Sequence, residues 1–292
     1  MIAIIAPSLD DKRIYPIHVH TAGAVHRSRV VVRHASGKGA NAARAAAKRG
    51  ASVMLCAVAG EEMAMLLEDQ LGFEGIRLAL TMTNEPTRSC VTVLEDDGRA
   101  TEFVQEALPV EAGERDHFRE SAFQCIDGAA AVLLTGSLPP GFPVEFYHGC
   151  TSRAAARGIP VVIDAQGQAL LAALPDSSAV VKINREEFTA LRVLLPEAGT
   201  GDAALAAVLL SSGASCVIVT DGANPVHVWT DEGPTIFPVP KVQPVNPVGS
   251  GDAMSGGITL ALGQGFSIEE AIRLGMTMGT ANVQTLLPGD LL

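Results

Sequence analysis

The segment Asn246-Pro-Val-Gly-Ser-Gly-Asp252 places backbone donors and a carboxylate at the start of a predicted helix. Glycine lets successive N–H groups point into one concavity, and a helix N-terminus adds positive potential, so this pattern predicts an anion-binding site. Gly249, Ser250 and Gly251 could stabilise a transferring phosphoryl group through fixed N–H donors, without a P-loop lysine. The chemistry that this segment predicts is phosphoryl transfer.

Asp252 would stand beside this anion hole, where a carboxylate can orient an acceptor hydroxyl and take its proton. We expect the helix dipole to keep the carboxylate ionised, which makes it a weak base that a loose transition state tolerates. The alternative is that Asp252 only caps the helix, a role that Asp fills well. The Gly-Ser-Gly before it and Gly256-Gly257 after it favour the role of base.

A second segment, Ser36-Gly-Lys-Gly-Ala-Asn-Ala-Ala-Arg44, opens an Ala-rich helix that is predicted to run to Arg49. Its two glycines permit close approach of a ligand to the backbone, and Asn41 can both donate to and accept from vicinal hydroxyls. The segment matches neither G-x-G-x-x-G nor G-x-x-x-x-G-K-[ST]. This mismatch argues against a P-loop and against a dinucleotide-dependent oxidoreductase.

Short apolar, β-rich runs alternate with longer Ala/Leu-rich segments of helical period along most of the chain. Strands that are buried on both faces have this composition, so the alternation predicts a mostly parallel sheet between layers of helices. The predicted strands are 1–6, 52–57, 130–135, 160–164, 179–182 and 215–220, and the predicted helices are 61–71, 144–156, 169–174, 252–263 and 267–286.

Two segments rich in Val, Thr and Arg, 12–34 and 87–105, interrupt this alternation. The second contains Asp97-Gly98, a strong two-residue hairpin signal, so both segments are predicted to form strands outside the main sheet. They could pair as a small lid over the crevice at the carboxyl ends of the main strands, or extend the edge of the main sheet. The chain 1–292 is expected to be a single α/β domain with these lid strands inserted.

The composition is that of an ordinary globular protein, with 48% hydrophobic residues, 18% charged residues and a formal net charge of −11. No Lys/Arg run is long enough to follow a phosphate backbone, which argues against nucleic acid as a partner. No stretch reaches the roughly 18 apolar residues of a membrane span, so we expect no membrane partner and a cytoplasmic protein. The five cysteines are far apart and predict neither disulfides nor zinc.

Taken together and in this order, the two glycine-rich segments resemble the two signature motifs of the ribokinase (PfkB-type) carbohydrate kinase family. The resemblance covers essentially the whole chain and implies a three-layer α/β/α fold with a β-sheet lid. The segments Pro86-Thr-Arg-Ser and Thr101-Glu-Phe are most similar to the branch of 1-phosphofructokinases and tagatose-6-phosphate kinases. Further matches follow the family's order at Thr135-Gly-Ser-Leu-Pro-Pro-Gly141, Val162-Ile-Asp164, Lys182-Ile-Asn-Arg-Glu-Glu187 and Thr220-Asp-Gly222.

The resemblance implies an enzyme that uses ATP and Mg²⁺ to phosphorylate a hydroxymethyl group of a sugar phosphate, of the fructose 1-phosphate or tagatose 6-phosphate type. Two alternatives remain open, namely a kinase of a free sugar or nucleoside and a catalytically idle sugar- or nucleotide-binding protein on the same fold. Relatives often dimerise through such lids, so a homodimer is a further expectation.

The resemblance also assigns roles to individual residues. Asp252 would be the catalytic base, and Gly249, Ser250 and Gly251 would form the anion hole. Arg88 and Arg27 are the candidates for a substrate phosphate, because guanidinium binds phosphate bidentately. The other residues of the sugar pocket would be Asp10, Gly37, Lys38, Gly39, Asn41 and Ser137.

On the nucleotide side, Asn184 and Glu187 would place the magnesium and the phosphates, with the metal held by Glu187 through water. Thr220 and Gly222 would support the nucleotide, and Asn282 in the last helix would flank the adenine. Asn184 and Glu187 could instead be a helix N-cap and its capping-box partner.

The acceptor side has simpler alternatives and two departures from the family pattern. Lys38 could be a solvated loop lysine, and Arg88 and Arg27 could be ordinary exposed lid residues. Ser36 stands where the pattern has the first glycine of Gly-Gly-Lys-Gly, and Ala6-Pro7 stands where the phosphofructokinase branch has Asn-Pro. These changes affect the acceptor side more than the anion hole, so the residues predict phosphoryl transfer more directly than they predict the sugar.

Overall fold

The apolar runs of the sequence become thirteen strands in the computed structural model, which describes residues 1–292. In chain order the strands are β1 (Ile2–Ala6), β2 (Asp10–Ile17), β3 (Val32–Ser36), β4 (Val53–Ala59), β5 (Arg77–Met82), β6 (Ser89–Glu95), β7 (Ala100–Val104), β8 (Ala131–Thr135), β9 (Val161–Asp164), β10 (Ala179–Asn184), β11 (Ala214–Asp221), β12 (Asn224–Thr230) and β13 (Gly233–Phe237).

The segments of helical period become nine helices. They are α1 (Lys38–Lys48), α2 (Glu61–Leu67), α3 (Ala112–Asp127), α4 (Phe146–Ala155), α5 (Gly167–Ala173), α6 (Arg185–Ala190), α7 (Asp202–Ser211), α8 (Ser250–Gly263) and α9 (Ile268–Val283). A π-helical turn, Glu68–Gly72, follows α2, and two short 3-10 turns follow α6. No helix combines the length and the apolar character that crossing a membrane requires.

Nine strands form the main sheet, in the order β13-β12-β11-β10-β9-β8-β1-β4-β5. The neighbours from β5 to β11 pair in parallel, and only β12 and β13 at one edge pair antiparallel. The mostly parallel sheet predicted from the apolar runs is therefore confirmed. The edge strand β5, the antiparallel edge and the helices α3 and α7 were not part of that prediction.

Helices cover both faces of this sheet, because successive side chains of each strand point to opposite faces. Ile4 belongs to a core cluster shared with α1, α2, α8 and α9, whereas Ile5 belongs to a second cluster shared with α3, α4, α5, α6 and α7. The two clusters make the three-layer α/β/α arrangement, so the predicted fold class is confirmed.

The remaining four strands form a separate sheet, in the order β3-β2-β6-β7. Asp97-Gly98 makes the predicted hairpin, with Gly98 at φ 83° and the Glu95 N–H donating to the Arg99 carbonyl at 2.9 Å. The strands fall inside or next to the segments expected to form a lid, and they do not extend the main sheet. The alternative of an extended sheet edge is wrong.

Candidate active site

The two glycine-rich segments meet at the start of two packed helices. Asn41 in the first turn of α1 donates from Nδ2 to Oδ2 of Asp252 in the first turn of α8, at 2.8 Å. Gly256 allows this approach, because a Cβ there would lie 2.6 Å from the Ala42 carbonyl oxygen. Residues 211 positions apart in the chain thereby form one hydrogen-bonded pair.

The turn before α8 presents several backbone donors in one place. Gly249 adopts a left-handed conformation, with φ 86°, as the N-cap of the helix. The Ser250 N–H donates to the Pro247 carbonyl at 3.3 Å, whereas the N–H groups of Gly249, Gly251 and Asp252 have no acceptor within the protein. Three free N–H groups at a helix N-terminus form a site for an anion. The free donors are therefore the N–H groups of Gly249, Gly251 and Asp252, whereas the prediction named Gly249, Ser250 and Gly251.

A buried carboxylate, Asp164 at the end of β9, is the electrostatic centre of the site. Lys182 donates to its Oδ2 at 2.9 Å, and Ser255 of α8 donates to the same oxygen at 2.6 Å. Lys182 also lies beneath the anion hole, since a Cβ on Gly251 would be 2.8 Å from its Nζ. Burial acts against the ionised form, but Lys182 and Lys38 outweigh it and hold the pKa of Asp164 well below its usual range.

Lys38 joins this carboxylate to a second one. Its Nζ donates to Oδ1 of Asp164 at 2.8 Å and to Oε1 of Glu187 at 3.1 Å. Burial opposes the charge, but the two carboxylates outweigh it and raise the pKa of Lys38. The alternative of a solvated loop lysine is therefore wrong, because the ammonium is bound on two sides.

Asp252 is surrounded by these charges. Burial raises its pKa, and the neighbouring carboxylate of Asp164 raises it further. Lys38 and the hydrogen bond from Asn41 offset only part of this effect, so the pKa is raised to about 6. The carboxylate is still ionised at neutral pH, as expected, but it is a stronger base than the helix dipole alone predicted.

On the acceptor side, Asp10 begins β2 and Arg88 immediately precedes β6, which pairs with β2 in parallel. The Arg88 Nε donates to Oδ1 of Asp10 at 2.5 Å, and its two Nη groups have no protein acceptor. A cavity beside Arg88 is lined by Ser8, Thr87 and several apolar side chains. The Ser8 hydroxyl is buried there without a hydrogen-bond partner. Ser137 follows β8 at the same end of the main sheet.

Two glycines of the predicted acceptor pocket lie close against other segments of the protein. A Cβ on Gly37 would lie 2.8 Å from Cα of Leu9, and a Cβ on Gly39 would lie 2.2 Å from Cβ of Ala6. Both glycines therefore serve the close approach of protein segments, and the close approach of a ligand to this backbone stays a prediction.

Arg27 lies in the exposed loop between β2 and β3, apart from the acceptor residues. The neighbouring Ser28 hydroxyl donates to the Pro16 carbonyl at 2.7 Å, six residues along β2 from Asp10. At about 3.3 Å per residue this separation is about 20 Å. Within one chain, the structure does not bring Arg27 to Arg88.

The nucleotide-side residues lie at the carboxyl ends of β10 and β11. Asn184 caps α6, accepting from the Glu187 N–H at 2.8 Å, while Oε2 of Glu187 accepts from the Asn184 N–H at 3.2 Å. The capping-box alternative is confirmed, and Oε1 of Glu187 accepts from the Lys38 ammonium. Thr220 pairs with Asn184 across the two strands, and Gly222 forms the following turn with φ 55°.

Asn282 does not face an open nucleotide surface, which corrects the expectation that it flanks the adenine. Its side chain is 1% exposed, and its Nδ2 donates to the carbonyls of Leu287 and Asp290 at 3.3 and 3.0 Å. The amide instead holds the chain segment that follows α9.

Possible metal ligands come in a pair. No group of three or more His, Cys, Asp or Glu side chains could hold a metal ion. However, Asp164 and Glu187 both accept from the Lys38 ammonium, so the two carboxylates face one point, and Lys38 occupies it. Mg²⁺ keeps several waters and is commonly bound by one or two carboxylates together with substrate phosphates, so a contact through water to this pair fits it.

Asp164, Lys182 and Ser255 were not among the predicted site residues. A signal was present for two of them, since Asp164 and Lys182 are charged residues within otherwise apolar strand sequences. A charge at such a position must be paired if it is buried. The hydroxyl of Ser255 inside a helix carried no comparable signal.

A family model and several solved structures are similar to this chain over most of its length. The model of the pfkB family of carbohydrate kinases matches residues 5–290. Phosphofructokinase-2 from Escherichia coli in complex with fructose-6-phosphate is 28% identical, with a TM-score of 0.84 over 97% of this chain and 93% of that one.

Two further solved structures are similar. The tetrameric inhibited form of the Escherichia coli enzyme is 27% identical, with a TM-score of 0.83 over 97% of this chain and 93% of that one. A Thermotoga maritima protein named as a possible 1-phosphofructokinase has a TM-score of 0.84 over 98% of this chain and 92% of that one. At 19% identity, that likeness concerns the fold alone.

Proposed function

This chain belongs to the pfkB family of carbohydrate kinases, and on that basis we propose that it transfers the γ-phosphate of ATP to a hydroxymethyl group of a sugar phosphate. The observation that carries the proposal is the Asp252 carboxylate, which Asn41 holds beside the free N–H groups of Gly249 and Gly251. Phosphoryl transfer requires a base beside a group of donors that stabilises the phosphoryl oxygens, and here both are on neighbouring residues.

In the proposed reaction the acceptor hydroxyl lies against Asp252. Its oxygen forms a bond to the γ-phosphorus while the bond from that phosphorus to the ADP oxygen breaks, and Asp252 accepts the hydroxyl proton. The N–H groups of Gly249, Gly251 and Asp252 donate to the phosphoryl oxygens, where negative charge accumulates. The Lys182 ammonium beneath Gly251 adds positive potential at the same place.

Magnesium would be held through water by Glu187 and Asp164, because the Lys38 ammonium occupies the point that these two carboxylates share. The metal would supply charge neutralisation of the ATP phosphates. Thr220 and Gly222, which follow β11 at the same edge of the sheet, would support the nucleotide.

The proposal is tested by ADP release, measured with sugar phosphates, free sugars and nucleosides as acceptors. Asp252→Asn should reduce turnover by at least about 100-fold, because an amide cannot take the proton. ATP binding, measured by calorimetry, should be retained. Turnover that is unchanged in Asp252→Asn would remove the proposed base, and an absence of turnover on every acceptor would favour an idle binding protein.

Arg88 supports a phosphorylated acceptor. Only its Nε is committed to Asp10, so both Nη groups can bind a phosphate, and the unpaired Ser8 hydroxyl lines the cavity beside them. Fructose 1-phosphate and tagatose 6-phosphate are the proposed types of acceptor. In a kinase of free sugars these donors would meet no phosphate.

Arg88→Ala should lower kcat/KM for a sugar phosphate by roughly 10- to 100-fold, the effect of losing a charged hydrogen-bonding partner. The loss with a free sugar should be smaller, because only the contact to Asp10 is removed. Arg119→Ala, on the exposed face of α3, is the matched control. Equal losses with both acceptors would deny Arg88 a phosphate-binding role.

We further propose that two copies associate through the outer face of the lid. Tyr15, Val91 and Val93 are only partly buried on that face, and Phe103 on the edge strand β7 is 59% exposed. Phe103→Glu should therefore yield monomers in size-exclusion chromatography with light scattering. Phe266→Glu, between α8 and α9, is the control and should leave the mass unchanged. A wild-type protein that elutes as a monomer would contradict this assembly.

A further inference from the structure

Ser36 is the residue of the first glycine-rich segment that departs from the family pattern, and it has a specific contact. It ends β3 and is fully buried. Its hydroxyl donates to Oδ1 of Asn41 at 3.0 Å, and this is the only hydrogen bond of that hydroxyl. Ser36, Asn41 and Asp252 therefore form one chain of hydrogen bonds that ends on the proposed base.

The direction of this chain matters, because the two ends of an amide are nearly equal in shape and opposite in hydrogen bonding. Asp252 requires the NH₂ end of Asn41, since an ionised carboxylate only accepts. A hydroxyl at the other end can donate to the carbonyl oxygen. Asn41 is 3% exposed, so water has little access to take the place of that donor.

We propose that Ser36 is a positioning residue, which acts through Asn41 to hold the Asp252 carboxylate in the orientation that receives the acceptor proton. This inference rests on the proposed role of Asp252 as the base. A glycine in place of Ser36 offers no donor, so the Asn41 carbonyl oxygen loses its partner and only the bond to Asp252 then orients the amide. In the turned orientation the carbonyl oxygen would face the carboxylate and repel it, so Ser36 contributes to both the orientation and the charge of Asp252.

A merely structural role for Ser36 makes a different prediction. If the hydroxyl only satisfied a buried carbonyl, its removal would lower the free energy of unfolding and leave Asp252 unaffected. The distinguishing measurement is the titration midpoint of the Asp252 carboxyl, followed by ¹³C NMR in the ligand-free protein and assigned with Asp252→Asn. This measurement does not depend on turnover.

Ser36→Ala should raise that midpoint by about one pH unit and lower kcat about tenfold, as expected if the hydrogen bond from Asn41 to the charged carboxylate is lost as a consequence. The affinity for ATP should stay within about twofold, because the free N–H groups of the anion hole are untouched. Ser36→Thr keeps the donor and should restore both the midpoint and kcat. Ser177→Ala, a buried hydroxyl remote from the site, is the control and should change neither.

A double-mutant cycle with Asn41→Ala isolates the pathway. If Ser36 acts through Asn41, adding Ser36→Ala to Asn41→Ala should change kcat by less than about twofold. Additive losses would overturn the proposal, as would a Ser36→Ala protein with an unchanged Asp252 midpoint. If the midpoint moves while Asp252→Asn retains full turnover, the proposed function fails although the coupling between the three residues stands.

Discussion

Asp252 combines two influences that oppose each other at one carboxylate. Its hydrogen bond from Asn41 and the ammonium of Lys38 stabilise the charged form, while burial and the carboxylate of Asp164 destabilise it more strongly. The resulting pKa of about 6 lies two units above that of an ordinary aspartate, at 3.8. A general base is most effective when its pKa lies near the working pH. The charges around Asp252 thus favour proton transfer.

The raised pKa of Asp252 predicts the acid limb of the pH profile. Below pH 6 the carboxyl is protonated and cannot accept the hydroxyl proton, so kcat/KM should fall about tenfold for each further pH unit. An acceptor phosphate has its own second pKa near 6. The profile should therefore be measured with an unphosphorylated acceptor at saturating ATP, where the limb should persist. A limb displaced to about pH 4 would contradict the raised pKa.

The segment that follows α9 supports both catalytic helices at the scale of elements. A Cβ on Gly249 would lie 2.8 Å from Cβ of Pro288, and a Cβ on Gly289 would lie 2.5 Å from the Asn41 carbonyl oxygen. Asn246 donates to the Leu286 carbonyl at 2.9 Å, and Asn282 holds the same segment from α9. These contacts fix the anion hole relative to Asn41.

Elements defined by local pattern were predictable from the sequence. The apolar runs predicted the parallel strands, since strands buried on both faces need continuous hydrophobic sequence. Asp97-Gly98 predicted the lid hairpin, and the spacing of Asn184 and Glu187 predicted the cap of α6, because both are decided within a few residues.

Contacts between distant elements were not predictable in the same way. The pairing of Lys38 with Asp164 joins residues 126 positions apart, and nothing local distinguishes it from a solvated lysine. The support of Gly249 by Pro288 likewise depends on how α8, α9 and the final segment pack together. The pKa of Asp252 depends on burial and on Asp164, neither of which a helix N-terminus reveals.

Two buried groups give the whole molecule opposing responses to acid. Burial, and then the guanidinium of Arg44, lower the pKa of His34 from 6.5 to about 3, with Lys12 adding to this effect and Asp290 and the Pro288 carbonyl opposing it. Between these two pKa values His34 is protonated in the unfolded state and neutral in the folded state, so the stability of the fold falls as the pH decreases below 6.5. Asp252 does the reverse, because its folded pKa of about 6 exceeds 3.8 and protonation between these values favours the folded state.

Between pH 7 and pH 5, His34 should lower the free energy of unfolding by about 2 kcal/mol, and Asp252 should raise it by about 1 kcal/mol. Asp252 thus offsets part of the His34 effect in the wild-type protein, whereas Asp252→Asn shows the His34 effect alone. Urea denaturation at both pH values should therefore show a larger acid loss in Asp252→Asn, by about 1 kcal/mol. In His34→Gln the slope should reverse, with greater stability at pH 5 than at pH 7. Parallel pH dependences in the wild type and Asp252→Asn would mean that Asp252 has an ordinary pKa in the folded protein. The inference that its surroundings make it a stronger base would then be wrong.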